Sequence, residues 1–246
     1  MEIDSLEDLK ENVENGNSSK KLLLSYRYQY GIGEIGIDLK ESKKWLDKSA
    51  MNGNLIAKLR KLAFGWGIQK DEKLAHDLLE EYLNCEIEKT KEEEMIAFNM
   101  MGYLCSNNPS KAIDYFSKSI EKGNPIALFN LALIYHKNKE LKDIKKAKQF
   151  YKLSIKNGLK MALNNLATIY ESIDSNPEKA RRFYEKATNS ENINSFYNLA
   201  ILYDNGNKIE RNLEAAAFCY YKILDTNLFE RQRFFIIIST KEIQWR

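Results

Sequence analysis

Apolar positions recur along this chain at helical spacing, and they recur as whole phrases. Ala127-Leu-Phe-Asn-Leu-Ala-Leu-Ile-Tyr135 returns as Ala162-Leu-Asn-Asn-Leu-Ala-Thr-Ile-Tyr170, then as Ser195-Phe-Tyr-Asn-Leu-Ala-Ile-Leu-Tyr203, at offsets of 35 and 33 residues. Leu131, Ala132 and Tyr135 fall at i, i+1 and i+4, one apolar face of a helix. A second phrase alternates with the first: a basic or polar residue, a small residue, two polar residues and two bulky ones. Lys111-Ala-Ile-Asp-Tyr-Phe116, Lys146-Ala-Lys-Gln-Phe-Tyr151 and Lys179-Ala-Arg-Arg-Phe-Tyr184 carry it. Looser copies are Glu41-Ser-Lys-Lys-Trp-Leu46, Leu74-Ala-His-Asp-Leu-Leu79 and Ala215-Ala-Ala-Phe-Cys-Tyr220. The small residues Ser42, Ala75, Ala112, Ala147, Ala180 and Ala216 lie 33, 37, 35, 33 and 36 residues apart. A small residue and an aromatic three positions on share a helix face, so one admits a neighbouring helix and the other fills the gap beside it.

Two short helices cannot bury such faces alone, so the units must stack. The period predicts an all-α array of about six helix-turn-helix repeats over residues 18–227, bounded near 18–53, 54–90, 91–123, 124–158, 159–191 and 192–227. Asn108-Pro109 and Asn176-Pro177 read as an N-cap and first helical residue. Gly53, Gly123 and Gly158 read as the left-handed ends of second helices. Residues 1–17 form an expected N-terminal capping helix, with Ile3, Leu6, Leu9 and Val13 as its apolar stripe and Ser5 with Asp8 resembling a capping box. Residues 228–246 form an expected C-terminal capping helix; the β-rich run Phe234 to Ile238 leaves a strand as the other reading.

The first unit reads Tyr28-Gln-Tyr-Gly31-Ile-Gly33, then Asp38, then Glu41-Ser-Lys-Lys-Trp45-Leu46-Asp-Lys48-Ser-Ala50-Met-Asn-Gly53. It resembles the Sel-one-like repeat, a relative of the tetratricopeptide repeat, whose pattern has a tyrosine, a Gly-x-Gly loop, an aspartate, Lys-Ala, Trp-Tyr, Lys-Ala-Ala and a closing glycine. The second unit keeps Gly65-Trp-Gly67 and Asp71 but has Glu86 to Glu94 where a closing glycine belongs. The sixth keeps Tyr203 and Gly206. Units three and five lack the Gly-x-Gly loop and look more like ordinary tetratricopeptide repeats. The resemblance implies a right-handed α-solenoid, a tetratricopeptide-like superhelix whose members are mostly adaptors and scaffolds with the first helices lining the concave face.

Composition changes this picture little. Among 246 residues, 43% are hydrophobic and 30% charged, with only 3 prolines, enough to bury a core and stay soluble. A net charge of +3 does not point to nucleic acid. Cys85, Cys105 and Cys219 are odd in number and lack Cys-x-x-Cys spacing, so they suggest neither a disulfide framework nor a metal site, but buried reduced thiols. A basic start and apolar stretch of a secretory signal are missing, and the expected compartment is the cytoplasm.

Gly31-Ile-Gly33-Glu-Ile-Gly36 matches a dinucleotide fingerprint, but the flanking phrases are helical and no strand follows, so the repeat loop explains the glycines. His76 and His136 have neither a linked nucleophile motif nor metal-ligand spacing. No cofactor is expected. The sharpest binding candidate is a column of amides: Asn130, Asn165 and Asn198 hold one position of three first helices. Such a ladder could bind an extended backbone, since each amide offers two donors and an acceptor. It could equally tie adjacent helices together. In the same register lie Phe129, His136, Asn164, Glu171, Tyr197 and Asp204. Residues 77–94 hold eight acids and residues 137–160 nine lysines. Polarised charge could steer a partner, though such runs usually solvate a helix face. The apolar run Phe234 to Ile238 is expected to cap the last repeat or to form a homodimer or partner interface. The expected function is a non-enzymatic module binding a protein or peptide. A narrower reading is an immunity or antitoxin protein with a toxin partner. A hydrolase is the third, weakened by the lack of paired cysteines in each repeat that relatives once proposed as hydrolases carry.

Overall fold

The computed structural model describes residues 6–189, 193–206 and 209–225. The described residues form thirteen helices: α1 (Leu6–Glu14), α2 (Ser18–Tyr30), α3 (Leu39–Met51), α4 (Leu55–Phe64), α5 (Glu72–Asn84), α6 (Lys91–Leu104), α7 (Pro109–Glu121), α8 (Pro125–Lys137), α9 (Ile144–Lys156), α10 (Ala162–Ser172), α11 (Pro177–Thr188), α12 (Ile193–Asn205) and α13 (Leu213–Leu224). This is the all-α helical-repeat fold of the solenoid class that the phrases predict. The chain divides into two compact units, Met1–Leu159 with α1 to α9 and Lys160–Arg246 with α10 to α13. Consecutive helices pair as hairpins, α2 with α3, α4 with α5, α6 with α7 and α8 with α9 in the first unit, α10 with α11 and α12 with α13 in the second.

An aspartate or an asparagine starts every second helix. Asp38, Asp71, Asn108, Asp143, Asn176 and Asn212 each accept a hydrogen bond from a backbone N–H in the first turn they cap. Five of these caps also donate their own N–H back to the first helix: Asp38 to Tyr28, Asp71 to Leu62, Asp143 to Tyr135, Asn176 to Tyr170 and Asn212 to Tyr203, at 2.8–3.1 Å. A cap that both opens one helix and holds the previous one fixes the hairpin without apolar contact. The small residues of the second phrase, Ser42, Ala75, Ala112, Ala147, Ala180 and Ala216, are all buried. Seven positions on, Ser49, Ser119 and Ser154 donate their hydroxyls to the carbonyls of Ser18, Met95 and Pro125 at 2.6–2.7 Å. These bonds give a carbonyl in the first helix of each of these hairpins a second donor and tie the second helix to it.

The first unit curls far enough for its ends to meet. Gly31 and Gly33 take left-handed φ of 62° and 77°, which lets the loop after α2 turn sharply. Gly33 N–H then donates to Gly158 O at 3.1 Å, and Ile32 bridges Leu159. The glycine loop is therefore a packing element between helices, with none of the strand context a dinucleotide site needs. Helix α2 also packs directly on α6. Lys20 pairs with Glu92 at 2.8 Å, and Ser19 and Asn54 both donate to Glu93. Part of the acidic run at 77–94 is thus spent on internal pairing, Glu94 with Lys122 included.

Helix α1 closes the start of this unit: Leu9 and Val13 bury against Leu24 and Ile35, flanked by Leu6, Leu23, Tyr28 and Trp45. Ile3 and Ser5 lie outside the described residues, as does the whole 228–246 segment with its Phe234 to Ile238 run. The cysteines depart from the expectation of three buried thiols. Cys219 is buried, but Cys105 is half-exposed beside the end of α6 and Cys85 is exposed in the loop after α5.

Candidate functional site

In the second unit one member of the amide column, Asn198, is bonded to a residue outside it. Asn198 on α12 donates to Asn164 on α10 at 3.0 Å, and Ser195 donates to the same oxygen at 3.2 Å. Asn165, the member of the column on α10, is half-buried and makes no side-chain hydrogen bond with a described residue. The residue after each repeat tyrosine is anchored as well. Glu171 accepts from the Tyr184 hydroxyl at 2.9 Å, which also meets Thr168 at 3.2 Å. Burial, with the Glu171 carboxylate beside it, pushes the Tyr184 phenol well above its ordinary range, so it stays a neutral donor. Asp204 pairs with Arg211 at 3.3 Å and Tyr197 is half-buried.

Arg181 and Arg211, both outside the expected set, line a shallow cleft of about 350 Å³ with Glu178, Tyr203, Ile209, Glu210 and Asn212. Arg181 is committed internally: it bonds Glu178 at 3.1 Å and Glu185 at 2.6 Å, and Tyr203 donates to Glu185 at 2.8 Å.

In the first unit Asn130 repeats the arrangement, donating to Asn99 at 3.1 Å. Phe129, expected on a groove, is buried against Tyr151 with ring centroids 5.8 Å apart. His136, expected to face solvent, is half-buried with Nδ1 3.4 Å from the Tyr151 hydroxyl. Burial, and then Lys137 and Lys142, hold its pKa below the usual histidine value. Both depart from the expectation for one reason. The large aromatic at the end of the second phrase leans onto the first helix of its own hairpin and occupies that side of the face.

Sequence reasoning missed the polar cluster at the heart of this unit. Arg60 on α4 is 1% exposed. Its guanidinium lies 4.7 Å from the Tyr26 ring and 5.7 Å from Trp66, and it donates to Gln29. Its Nε and Nη1 have no partner among the described residues. Burial lowers the arginine pKa and raises those of Tyr26 and Tyr30. Asn124, the N-cap of α8, donates to the Tyr26 hydroxyl at 3.1 Å. The space between α2, α4 and the start of α8 is filled by side chains of the unit itself. The degenerate second repeat, with Arg60 on a short apolar helix, was the only signal in the sequence.

His76 and Cys105 come together, with Nε2 3.8 Å from Sγ and Nδ1 3.2 Å from Asp77. Burial raises the Cys105 thiol, which keeps it protonated and a poor nucleophile. Among the described residues no group of three or more His, Cys, Asp or Glu side chains is placed to hold a metal, and no helix is long and apolar enough to cross a membrane.

A family model described as the Sel1 repeat matches residues 22–54, 62–81, 98–124, 125–159, 160–192 and 197–225. The chain belongs to the Sel1 repeat family. Sel1 repeat proteins generally mediate protein–protein interaction. The shortest match, 62–81, covers the repeat that carries Arg60 just outside it and lacks a closing glycine. The candidate residues fall in the last three Sel1 segments: Phe129, Asn130 and His136 in the fourth, Asn164, Asn165 and Glu171 in the fifth, Tyr197, Asn198 and Asp204 in the sixth.

Solved structures agree on this fold. The chain is 25% identical to c5321, a protective antigen of uropathogenic Escherichia coli displaying an SLR fold, over 88% of this chain and 47% of that one, with a TM-score of 0.58. It thus spans about half that protein's length. A Sel1 repeat protein from Oxalobacter formigenes is 22% identical over 89% of this chain and 87% of its own, with a TM-score of 0.57. The immunity protein Pa5087 of Pseudomonas aeruginosa is 17% identical over 83% and 81%, with a TM-score of 0.54. No curated protein matches the chain.

Proposed function

We propose that this Sel1 repeat chain is a non-catalytic adaptor that binds a protein or an extended peptide on its first-helix faces, in the cytoplasm. The supporting observation is in the second unit. There Asn164, Asn165, Glu171, Tyr197, Asn198 and Asp204 are half-buried side chains of two consecutive first helices, with Asn164, Glu171 and Asp204 held by bonds within the unit. Asn165 keeps its full hydrogen-bonding capacity and Asn198 keeps one N–H and its carbonyl. A preformed row of this kind costs little to order on binding. In the first unit Asn130 and His136 hold the matching positions on α8, with Phe129 beneath them.

The test is affinity capture from the native host with mass spectrometry, run in parallel on wild type and on Asn165→Ala. Asn165 has no structural bond to lose, so capture of a protein partner that weakens in the variant supports the reading. Capture unaffected by Asn165→Ala and by Glu171→Ala moves binding off this face.

A second reading is that the partner is a protein toxin which this chain neutralises. It is favoured by the likeness in fold to Pa5087 and to a second Pseudomonas aeruginosa immunity protein, PA5088, 17% identical with a TM-score of 0.53. Coexpression with the products of neighbouring genes tests it: a toxic product whose toxicity this chain does not relieve, or no toxic product at all, counts against it.

A further inference from the structure

Helix α9 presents a one-sided row of lysines to solvent. It carries five lysines and no acid. Lys145, Lys152 and Lys156 stand at i, i+7 and i+11, on the side of α9 away from the buried Ala147, Tyr151 and Ser154, and Lys142 lies in the loop just before them. All four are exposed, and none of their ammonium groups pairs with an acid among the described residues. Lys148 lies on the same side and is half-buried. Like charges four positions apart repel along a helix, as Lys148 with Lys152 and Lys152 with Lys156 do here. This face therefore costs the fold stability.

The other second helices break up their charge at the same positions. At two residues before, five after or nine after the buried small residue of each, they place Asp47 on α3, Glu80 on α5, Glu121 on α7, Glu185 on α11 and Glu214 on α13. Two of these acids are bound inside the protein, Asp47 to Lys61 and Glu185 to Arg181, each at 2.6 Å. A face that serves solvation mixes its signs in this way. Helix α9 holds lysine at all three positions. The whole chain has a net charge of only +3, so the positive field belongs to this face and not to the protein at large.

We propose that the lysine face of α9 is a second interaction surface, which receives an acidic helix of a partner protein. The inference rests on the reading of the chain as a protein-binding module and adds a surface separate from the first-helix faces. The lysines recur along α9 at rises of about 10 and 6 Å, the rises at which another helix presents carboxylates at i, i+7 and i+11. Nucleic acid fits this face less well. It has no arginine, and the aromatics of α9 are turned inward, with Phe150 stacked on Tyr135 at 5.8 Å and Tyr151 buried, which leaves none to stack on a base. A membrane surface also fits less well, because insertion needs apolar side chains beside the cations, and Leu153 is the one exposed apolar residue of α9. Charge complementarity with carboxylates is what the face offers, and it steers association and sets partner choice.

Fluorescence anisotropy of a labelled alanine-based helical peptide, titrated with the whole chain at about 0.15 M salt, tests this. One peptide carries glutamates at i, i+4, i+7 and i+11, on one face; a second, of the same composition, spreads them around the helix. The one-faced peptide is expected to bind the more tightly, and its affinity is expected to fall about tenfold in Lys152→Glu with Lys156→Glu. Lys40→Glu with Lys43→Glu makes the same change of charge on exposed positions of α3 and is expected to leave the affinity within about twofold of wild type. The α9 variant removes like-charge pairs, so its melting temperature is expected to be no lower than that of wild type, which shows the fold is kept. No binding of the one-faced peptide to wild type, an unchanged affinity in the α9 variant, or equal affinity for the two peptides overturns the proposal. So does tighter binding of phosphatidylserine vesicles or of single-stranded RNA that is lost in the α9 variant, which assigns the face to that ligand instead. Asn165→Ala is expected to leave peptide binding unchanged, so failure here leaves the first-helix reading standing, and failure there leaves this one.

Discussion

Asn198 reaches across from α12 to the side-chain oxygen of Asn164, 3.0 Å away, an oxygen that also accepts the Ser195 hydroxyl. One carbonyl holds two donors of the next helix, and the adjacent residue Asn165 holds none. The two amides are neighbours in sequence and opposite in duty. Asn164→Ala takes the acceptor from the Asn198 amide and one bond from Ser195, and is expected to cost about 1–2 kcal/mol in denaturant unfolding. Asn165→Ala is expected to stay within about 0.5 kcal/mol of wild type, as a substitution away from any bonded feature does. Equal losses would mean that Asn165 is structural after all, and the amide face would lose its best binding candidate.

This pair also marks how far the sequence could be read. The phrases located the hairpins because each buried position returns with the period: Ala112, Ala147 and Ala180 are sealed for one local reason, the close approach of two helices in one hairpin. Asn108 and Asn176 could be read as caps because capping needs only the residues of one turn. Contacts between hairpins that are not neighbours carry no such period. The Gly33–Gly158 bond, the α2–α6 pairing through Lys20 and Glu92, and the Asn124–Tyr26 bond depend on how much each repeat rotates against the next. The amide column was visible as a repeat of asparagine, but its acceptors were not: Asn99 and Asn164 sit one register position away from it. Arg60 was hidden because it belongs to the repeat that departs most from the pattern.

Gly102 on α6 is a close approach of the kind only glycine permits. A Cβ there would lie 2.5–2.9 Å from the ring of Phe116 on α7. Its backbone is helical, so alanine would gain roughly 1 kcal/mol of helix propensity. Overpacking a buried aromatic costs about 1–3 kcal/mol, and the ring is clustered with Ala112 of its own helix and Ala127 of α8. Gly102→Ala is therefore expected to lower the melting temperature, and Phe116→Leu added to it is expected to recover part of the loss. A melting temperature raised by Gly102→Ala alone would show that the ring yields easily.

His136 predicts a pH dependence. Burial, with Lys137 and Lys142 close by, depresses its pKa in the folded chain below the value of 6.5 it has when exposed. Below pH 6.5 the unfolded chain therefore binds more protons at this residue than the native chain does. Its contribution to stability is complete above that pH and is lost as pH falls from there through the folded pKa. His136→Gln keeps a polar group near the Tyr151 hydroxyl and cannot titrate. The difference in unfolding free energy between wild type and His136→Gln is expected to shift against the wild type between pH 7.5 and 5. A difference that does not change with pH would place the imidazole in water rather than between α8 and α9.

Arg60 tests what a buried cation contributes when no carboxylate answers it. The guanidinium stacks on Tyr26 and Trp66 and donates to Gln29, while two of its nitrogens stay unpaired. A desolvated cation–π contact is worth about 2 kcal/mol, but a buried unpaired donor costs about 1–3 kcal/mol. The two terms nearly cancel, so the charge adds little and the volume adds most. Arg60→Met keeps a long flexible stem between the aromatic rings, and its stability is expected to lie within about 1 kcal/mol of wild type or above it. Arg60→Ala empties the same space and is expected to cost about 2–5 kcal/mol. Urea unfolding of the two variants separates volume from charge. A methionine variant as unstable as the alanine variant would show that the guanidinium, through its rings and Gln29, is what holds α2 and α4 together.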